Sequence, residues 1–379
     1  MFGYGHETAW AELGEDARAL DPGSQAGFAA LREAGAKLPE AERDGLGGQM
    51  AELLAKRLRL QADREAFPGI TRQGIETPII ICGLPRSGTS LLHSLLAEDP
   101  ANRAPRSWEL MTPSPPAPDE HQGTRRIALA SEAIQTFVAA MPEILSAHPY
   151  WDEGGNVAVE CEDIMQMSFI SAYFTAFFDL PDYYKWLASA DYAAAYRTHH
   201  EFLQHLQWNA PVRRWVLKGV THVGKLNLVE HTYPDACLVW PHRDPAAQFA
   251  SMVTLLAITR RAVDPKTLRR LFEDQLEMTG LDVDAALSHP SVHNGDILHV
   301  QFAKLNRDPI GAIRTIYDRL GMIPSAEHER RMAAWLTSPA NDPARHGRAN
   351  VDLGRFGATM DEVRRRFADY YDSGLLTHP

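Results

Sequence analysis

Cysteine is scarce in this chain: Cys82, Cys161 and Cys237 are the three in 379 residues, and their wide spacing excludes both a disulfide framework and a zinc-type cluster. Cys82 and Cys237 stand in apolar runs, where a thiol is a small core residue. No apolar run approaches the roughly 18 residues of a membrane span, and the opening MFGYGHETAWAEL lacks the basic region and apolar core of a secretory leader. A cytoplasmic protein without a membrane span is the expectation. Positive charge is also in deficit, with 38 Lys and Arg against 49 Asp and Glu, and a formal net charge of -11 argues against a general nucleic-acid or anionic-membrane binder. An anionic ligand therefore needs a local basic pocket. There is no internal repeat and no low-complexity segment, and 45% hydrophobic with 23% charged residues is an ordinary globular composition, ample for a packed core.

The informative stretch is Thr77 to Pro100, TPIIICGLPRSGTSLLHSLLAEDP, which reads as a buried strand, a glycine-bounded loop and a helix. Ile79, Ile80 and Ile81 suit a parallel strand covered on both faces. Leu91, Leu92, Leu95 and Leu96 recur at helical spacing toward the sheet, with His93 and Ser94 turned elsewhere. Gly83 and Gly88 have the separation of the nucleotide-binding loop GxxxxGK[ST], yet Thr89 stands where its lysine belongs and the positive charge is inside the loop at Arg86. Backbone N–H groups and the helix N-terminus still make an anion cradle.

Along the rest of the chain, residues 1–76 form an N-terminal helical extension, with pieces around Thr8 to Ala19, Ser24 to Ala36 and Glu40 to Arg64. In the last piece Leu53, Leu54, Leu58 and Leu60 face inward and Lys56, Arg57 and Arg59 are solvated. The turn PSPPAPDE at Pro113 to Glu120 opens a helical insertion of about 113–212, dense in Phe and Tyr, where core packing is favoured over a lined pocket. Strands resume at Arg214 to Gly219, then at Ala236 to Trp240 and Asp296 to Phe302. Helices follow at about His222 to His231, Ala246 to Arg261 and Pro309 to Leu320. Four strands alternating with helices imply an α/β fold, a three-layer, mostly parallel sheet with helices on both faces. The last helix carries Arg364, Arg365 and Arg366 as a solvated face.

A second basic site narrows the choice of anion. Arg243 leaves a strand end in HRDPAAQFAS and Ser251 lies eight residues on, about two helical turns into the next element. Together with PRSGTS after a strand, this pair resembles the sulfotransferases that use 3′-phosphoadenosine 5′-phosphosulfate, most closely their bacterial branch. The resemblance extends to WELMTP at Trp108 to Pro113, LQWNAPVRRWVLKGVTH at Leu206 to His222 and RHGRANVDLGRFG at Arg345 to Gly357. It covers nearly the whole chain after Glu76, residues 77–379.

The resemblance implies roles. Pro85, Arg86, Ser87, Gly88, Thr89 and Ser90 wrap the 5′ end of the donor, Arg86 reaches the sulfate or bridging oxygen, and Arg243 with Ser251 holds the 3′-phosphate. Arg345, His346, Gly347 and Arg348 correspond to a late basic segment closing over the nucleotide. Lys218, delivered by a strand to the mouth of the sheet, joins Arg86 in stabilising leaving-group charge. The general base is Glu109 or, as the alternative, His222; Glu109 is favoured. No metal is implied, and the acceptor is a small or lipid-like hydroxyl or amine compound. The rival readings are a P-loop kinase or nucleotide hydrolase, opposed by Thr89 at the lysine position, and a non-catalytic nucleotide-binding homologue.

Overall fold

A computed structural model describes Leu13 and residues 17–152, 154–211, 213–342 and 344–376, with Trp151 and Asp152 described by backbone alone. The helix expected from Thr8 lies mostly outside those residues, and Ala17–Ala19 is a 3-10 turn. Five parallel strands form the sheet: β1 Ile79–Cys82, β2 Asn102–Arg103, β3 Arg214–Gly219, β4 Cys237–His242 and β5 Ile297–Gln301. Their order is β2-β3-β1-β4-β5. The β-branched run Ile79, Ile80 and Ile81 occupies the centre because only there are both faces covered, and all three are fully buried.

Register places the functional strand ends side by side. Ile79 pairs with Val216 and Cys82 with Gly219 across β1 and β3, and Ile79 pairs with Cys237 across β1 and β4. The carboxyl ends of β3, β1 and β4 therefore lie together, the location where open α/β sheets hold ligands. Alternation along the strands divides the core: Ile79, Ile81, Val216, Val239 and Val300 pack with Leu92, Leu95, Leu96, Ile313 and Met332. Ile80, Leu217 and Leu238 are buried on the opposite face.

The chain divides into two compact units. One holds the sheet and comprises Glu76–Ala104, Glu143–Tyr150 and the described residues from Arg213 onward; the other comprises the described residues of Met1–Ile75, Pro105–Pro142 and Trp151–Val212. The second is helical, and the N-terminal extension and most of the insertion pack into it together. Its aromatic residues are core, since Phe169, Phe174, Tyr183 and Tyr196 are buried. Phe28 meets Phe169 edge-on at 5.1 Å, and the Tyr183 hydroxyl donates to the Phe169 carbonyl at 2.7 Å. Gln204 and Gln207, from the helix Ala193–Gln207, anchor the segment after the N-terminal helices by donating to the carbonyls of Gln73 and Gly74 at 2.9 and 2.7 Å.

Several local expectations change. The edge strand Asn102–Arg103 is a fifth strand, and its two residues are too short a run to stand out in sequence. His93 turns toward the sheet and is buried, its Nε2 3.2 Å from the Val216 carbonyl, while Leu91 is only partly buried. The segment after β3 begins as a 3-10 helix, Thr221–Lys225, before the α-helix Leu226–Thr232. Lys56 and Arg57 are half-buried, Lys56 paired with Glu52 at 2.6 Å and Arg57 with Glu201 at 2.8 Å. Arg366 lies across the helix Pro265–Leu287, pairing with Asp284 at 2.9 Å, so only part of the arginine run is a solvated face. Among the described residues no helix is long and apolar enough to cross a membrane.

Candidate functional site

The loop after β1 is shaped by two glycines. Gly88 has φ +94, a left-handed conformation that L side chains rarely adopt, and a Cβ there would meet Leu305 Cδ2 at 2.8 Å. A Cβ on Gly83 would approach the Pro241 ring at 3.0 Å, a tight contact with the proline near the end of β4. Ser87 closes the turn by donating from its hydroxyl to the Leu84 carbonyl at 2.7 Å. The helix Thr89–Ala97 starts directly from Gly88 and aims its N-terminus back at the loop. Thr89 is buried and Pro85 and Ser90 are partly exposed.

Arg86 takes φ +68, a left-handed value uncommon for a non-glycine residue, and its side chain reaches across the sheet mouth. Its Nε donates to Ser251 Oγ at 3.1 Å. Arg243 in turn donates from Nη1 to the Arg86 carbonyl at 2.8 Å, and its guanidinium lies 4.6 Å over the Phe302 ring. Burial lowers the Arg243 pKa from its ordinary value, opposed by Asp244, yet an arginine remains cationic at neutral pH. Arg86, Arg243 and Ser251 thus form one cluster joining the loop to the helix Pro245–Thr259. On the other flank of β1, Lys218 is buried and donates to Ser90 Oγ at 3.1 Å. A buried ammonium beside a hydroxyl at a helix N-terminus adds to the field an anion would meet.

The remaining candidates are placed differently. His222 belongs to the sheet unit, lies in the 3-10 turn Thr221–Lys225 and is fully buried, and burial pushes its imidazole down to about 4. It is neutral at physiological pH and a weak base. Glu109 belongs to the helical unit, where it is buried and its Oε2 accepts from the Arg106 backbone N–H at 2.9 Å. That contact caps the helix Ser107–Met111. Arg345 donates to the carbonyls of Asp342 and Pro149 at 3.1 and 2.7 Å and lies 5.9 Å from the Tyr150 ring centroid. His346, Gly347 and Arg348 are exposed, with Gly347 at φ +77.

One participant escaped sequence reading. Phe302, the residue directly after β5, supplies the ring under Arg243. The Asp244 side chain caps the helix bearing Ser251 by accepting from Ala247 N–H at 2.8 Å, as its place before Pro245 suggests. The strand-end position of Phe302 is the available signal, but which ring meets which guanidinium depends on the β4–β5 pairing, where His242 lies opposite Gln301.

A sequence profile of the sulfotransferase family matches residues 78–325. The omega-hydroxy-beta-dihydromenaquinone-9 sulfotransferase Stf3 of Mycobacterium bovis is 26% identical over 259 residues, 65% of this chain and 63% of that protein, and its Mycobacterium tuberculosis counterpart aligns to the same extent. The matched region thus spans under two thirds of these curated relatives. The crystal structure of sulfotransferase STF9 from Mycobacterium avium superposes with a TM-score of 0.84 at 24% identity, covering 98% of both chains. Sulfotransferase STF1 from Mycobacterium tuberculosis gives 0.76 at 24% identity, over 96% of this chain and 98% of that one. At these identities the structural likeness speaks for the fold.

Proposed function

The chain belongs to the sulfotransferase family, and we propose that it moves a sulfuryl group from 3′-phosphoadenosine 5′-phosphosulfate to a hydroxyl of a lipid-like acceptor by in-line displacement. The observation that carries this reading is the cluster at the mouth of the sheet, where Arg86 meets Ser251 at 3.1 Å and Arg243 holds the Arg86 carbonyl at 2.8 Å. Two anion-binding elements, a phosphate loop and a strand-end arginine, are therefore held against each other. A donor with phosphates at both 5′ and 3′ positions fits that pairing better than a triphosphate, for which Thr89 leaves the usual lysine absent. The loop itself fits an anion as well, since its backbone leads straight into the N-terminus of the helix Thr89–Ala97.

The donor, once bound, supplies an activated sulfur with a phosphate leaving group. In the proposed step a bond forms from the acceptor oxygen to sulfur while the bond from sulfur to the bridging oxygen breaks. Arg86 and Lys218 meet the negative charge developing on that leaving oxygen, a task for placed cations rather than for covalent chemistry. Glu109 takes the hydroxyl proton in this reading, with His222 as the alternative. Burial depresses His222 to about 4, which weakens it for that role. Support for a lipid-like acceptor comes from relatives named for sulfation of an omega-hydroxy menaquinone.

The test is transfer of labelled sulfate from the donor to a panel of hydroxylated lipids and phenols, run beside calorimetry of nucleotide binding. Transfer that disappears in Arg86→Ala supports the reading. Preference for magnesium-ATP over adenosine 3′,5′-bisphosphate would replace it with a kinase or hydrolase reading, and tight nucleotide binding without transfer to any acceptor would leave a binding protein.

A further inference from the structure

Three consecutive residues, His242, Arg243 and Asp244, connect β4 to the helix Pro245–Thr259, and both neighbours of Arg243 are held by the C-terminal helix Ala368–Asp372. On one side, His242 Nδ1 lies 2.6 Å from the Tyr370 hydroxyl and His242 Nε2 lies 2.7 Å from His299 Nδ1 on β5. His299 Nε2 lies 2.9 Å from the Val292 carbonyl. The proton order in this row follows from its far end. A carbonyl only accepts, so His299 Nε2 carries the hydrogen and its Nδ1 accepts from His242 Nε2–H; His242 Nδ1 then accepts from the Tyr370 hydroxyl. Burial, helped by the neighbouring His299, pushes His242 down to about 3, which keeps the ring neutral as this order requires.

On the other side, the Tyr371 hydroxyl accepts from Ala246 N–H at 3.3 Å and sits 3.3 Å from Asp244 Oδ1, to which it donates. Asp244 is the cap of the helix that presents Ser251. Further along, Gln301 donates to the Leu375 carbonyl at 2.8 Å, immediately before the Phe302 ring that carries the Arg243 guanidinium. The chain terminus thus grips the residue before Arg243, the residue after it and the strand end beneath it.

We infer that the Tyr370–Tyr371 pair of the C-terminal helix is a positioning element for the second anion site, fixing the backbone on both sides of Arg243 so that its guanidinium meets a 3′-phosphate. The inference rests on the reading of Arg243 and Ser251 as the 3′-phosphate site. Neither tyrosine touches the nucleotide in this scheme. They act through His242 and Asp244, so their effect is confined to the phosphate that Arg243 binds.

Paired affinities test this: adenosine 3′,5′-bisphosphate and adenosine 5′-phosphate are titrated calorimetrically into the full chain and into Tyr370→Phe, Tyr371→Phe and Arg243→Ala. The wild type is expected to prefer the bisphosphate, and Arg243→Ala to abolish the preference. Each phenylalanine variant is expected to lower bisphosphate affinity by about threefold to tenfold, the scale of one or two hydrogen bonds, with 5′-phosphate affinity unchanged. A structural role alone would lower the melting temperature and leave the affinity ratio intact, or weaken both ligands equally; either result overturns the inference. Should Tyr370→Phe fail to fold, the partly exposed Tyr371 gives the same comparison. A wild type without preference, or one whose preference survives Arg243→Ala, refutes the phosphate site itself and the clasp with it.

Discussion

The helical unit and the sheet unit both turn many buried polar side chains to backbone carbonyls, but two cations at the mouth of the sheet meet hydroxyls as well. In the helical unit, Gln204, Gln207 and Tyr183 end on backbone carbonyls, and Arg126 donates to the carbonyls of Thr112 and Pro115 at 2.8 and 3.0 Å. Those groups are consumed in holding loops, as buried polar atoms must be. At the mouth of the sheet, Arg86 meets a serine hydroxyl and Lys218 another, at 3.1 Å in each case. A cation held by a hydroxyl can exchange that contact for an anionic oxygen at little cost. Arg243 combines both kinds of role, giving Nη1 to the Arg86 carbonyl at 2.8 Å while a guanidinium carries further donors for a ligand.

The sharpest attack on this contrast is Glu109, a helical-unit carboxylate assigned a chemical role. Glu109→Gln keeps an oxygen to accept from Arg106 N–H, so stability should hold while kcat falls by about 10²–10⁴-fold if the carboxylate is the base. Turnover near the parent value would return Glu109 to helix capping. Next in size, Arg86→Ala should lower kcat/KM by about 10²–10³-fold while the protein stays folded. Loss of folding would break the comparison.

Smaller effects concern stability. Gly88→Ala places a Cβ against Leu305 in a left-handed conformation and should cost about 1–3 kcal/mol, read by denaturant titration, with nucleotide affinity falling alongside. The buried histidines make stability depend on pH. His222 is pushed to about 4 and His242 to about 3 in the folded chain, against about 6.5 when unfolded, so below that value the unfolded state binds more protons. Their contribution is present above about pH 6.5 and is lost as pH falls toward 4 and below, by about 3 kcal/mol for His222 alone. Melting at stepped pH should show that slope, and His222→Gln should flatten it. Smallest is Lys37→Ala: the pair with Asp182 is 2.6 Å long but more than half exposed on both sides, so the melting curve should barely move.

Much of the fold is written in local pattern. The isoleucine run, the glycines at 83 and 88, and Asp-Pro pairs at 244–245, 264–265 and 308–309 mark β1, its loop and three helix starts, because strand burial, left-handed turns and helix caps are decided by a few neighbouring residues. The two-residue β2 carries no such pattern and exists only because β3 offers an edge to pair with. His93 was misplaced for the same reason: its spacing on the helix is ambiguous until the Val216 carbonyl supplies a partner.

The loop began as a phosphate cradle with a lysine missing. By itself the sequence showed a glycine-bounded loop with a cation at Arg86 after a buried strand, since residue type and short spacing suffice for that, while Arg243 and Ser251 stood out as a pair only through the family resemblance. Only the tertiary structure decided that these pieces meet, through a parallel register that sets β3, β1 and β4 abreast and a C-terminal helix gripping both neighbours of Arg243. Contacts between residues more than a hundred positions apart depend on strand order and packing, which no local spacing encodes.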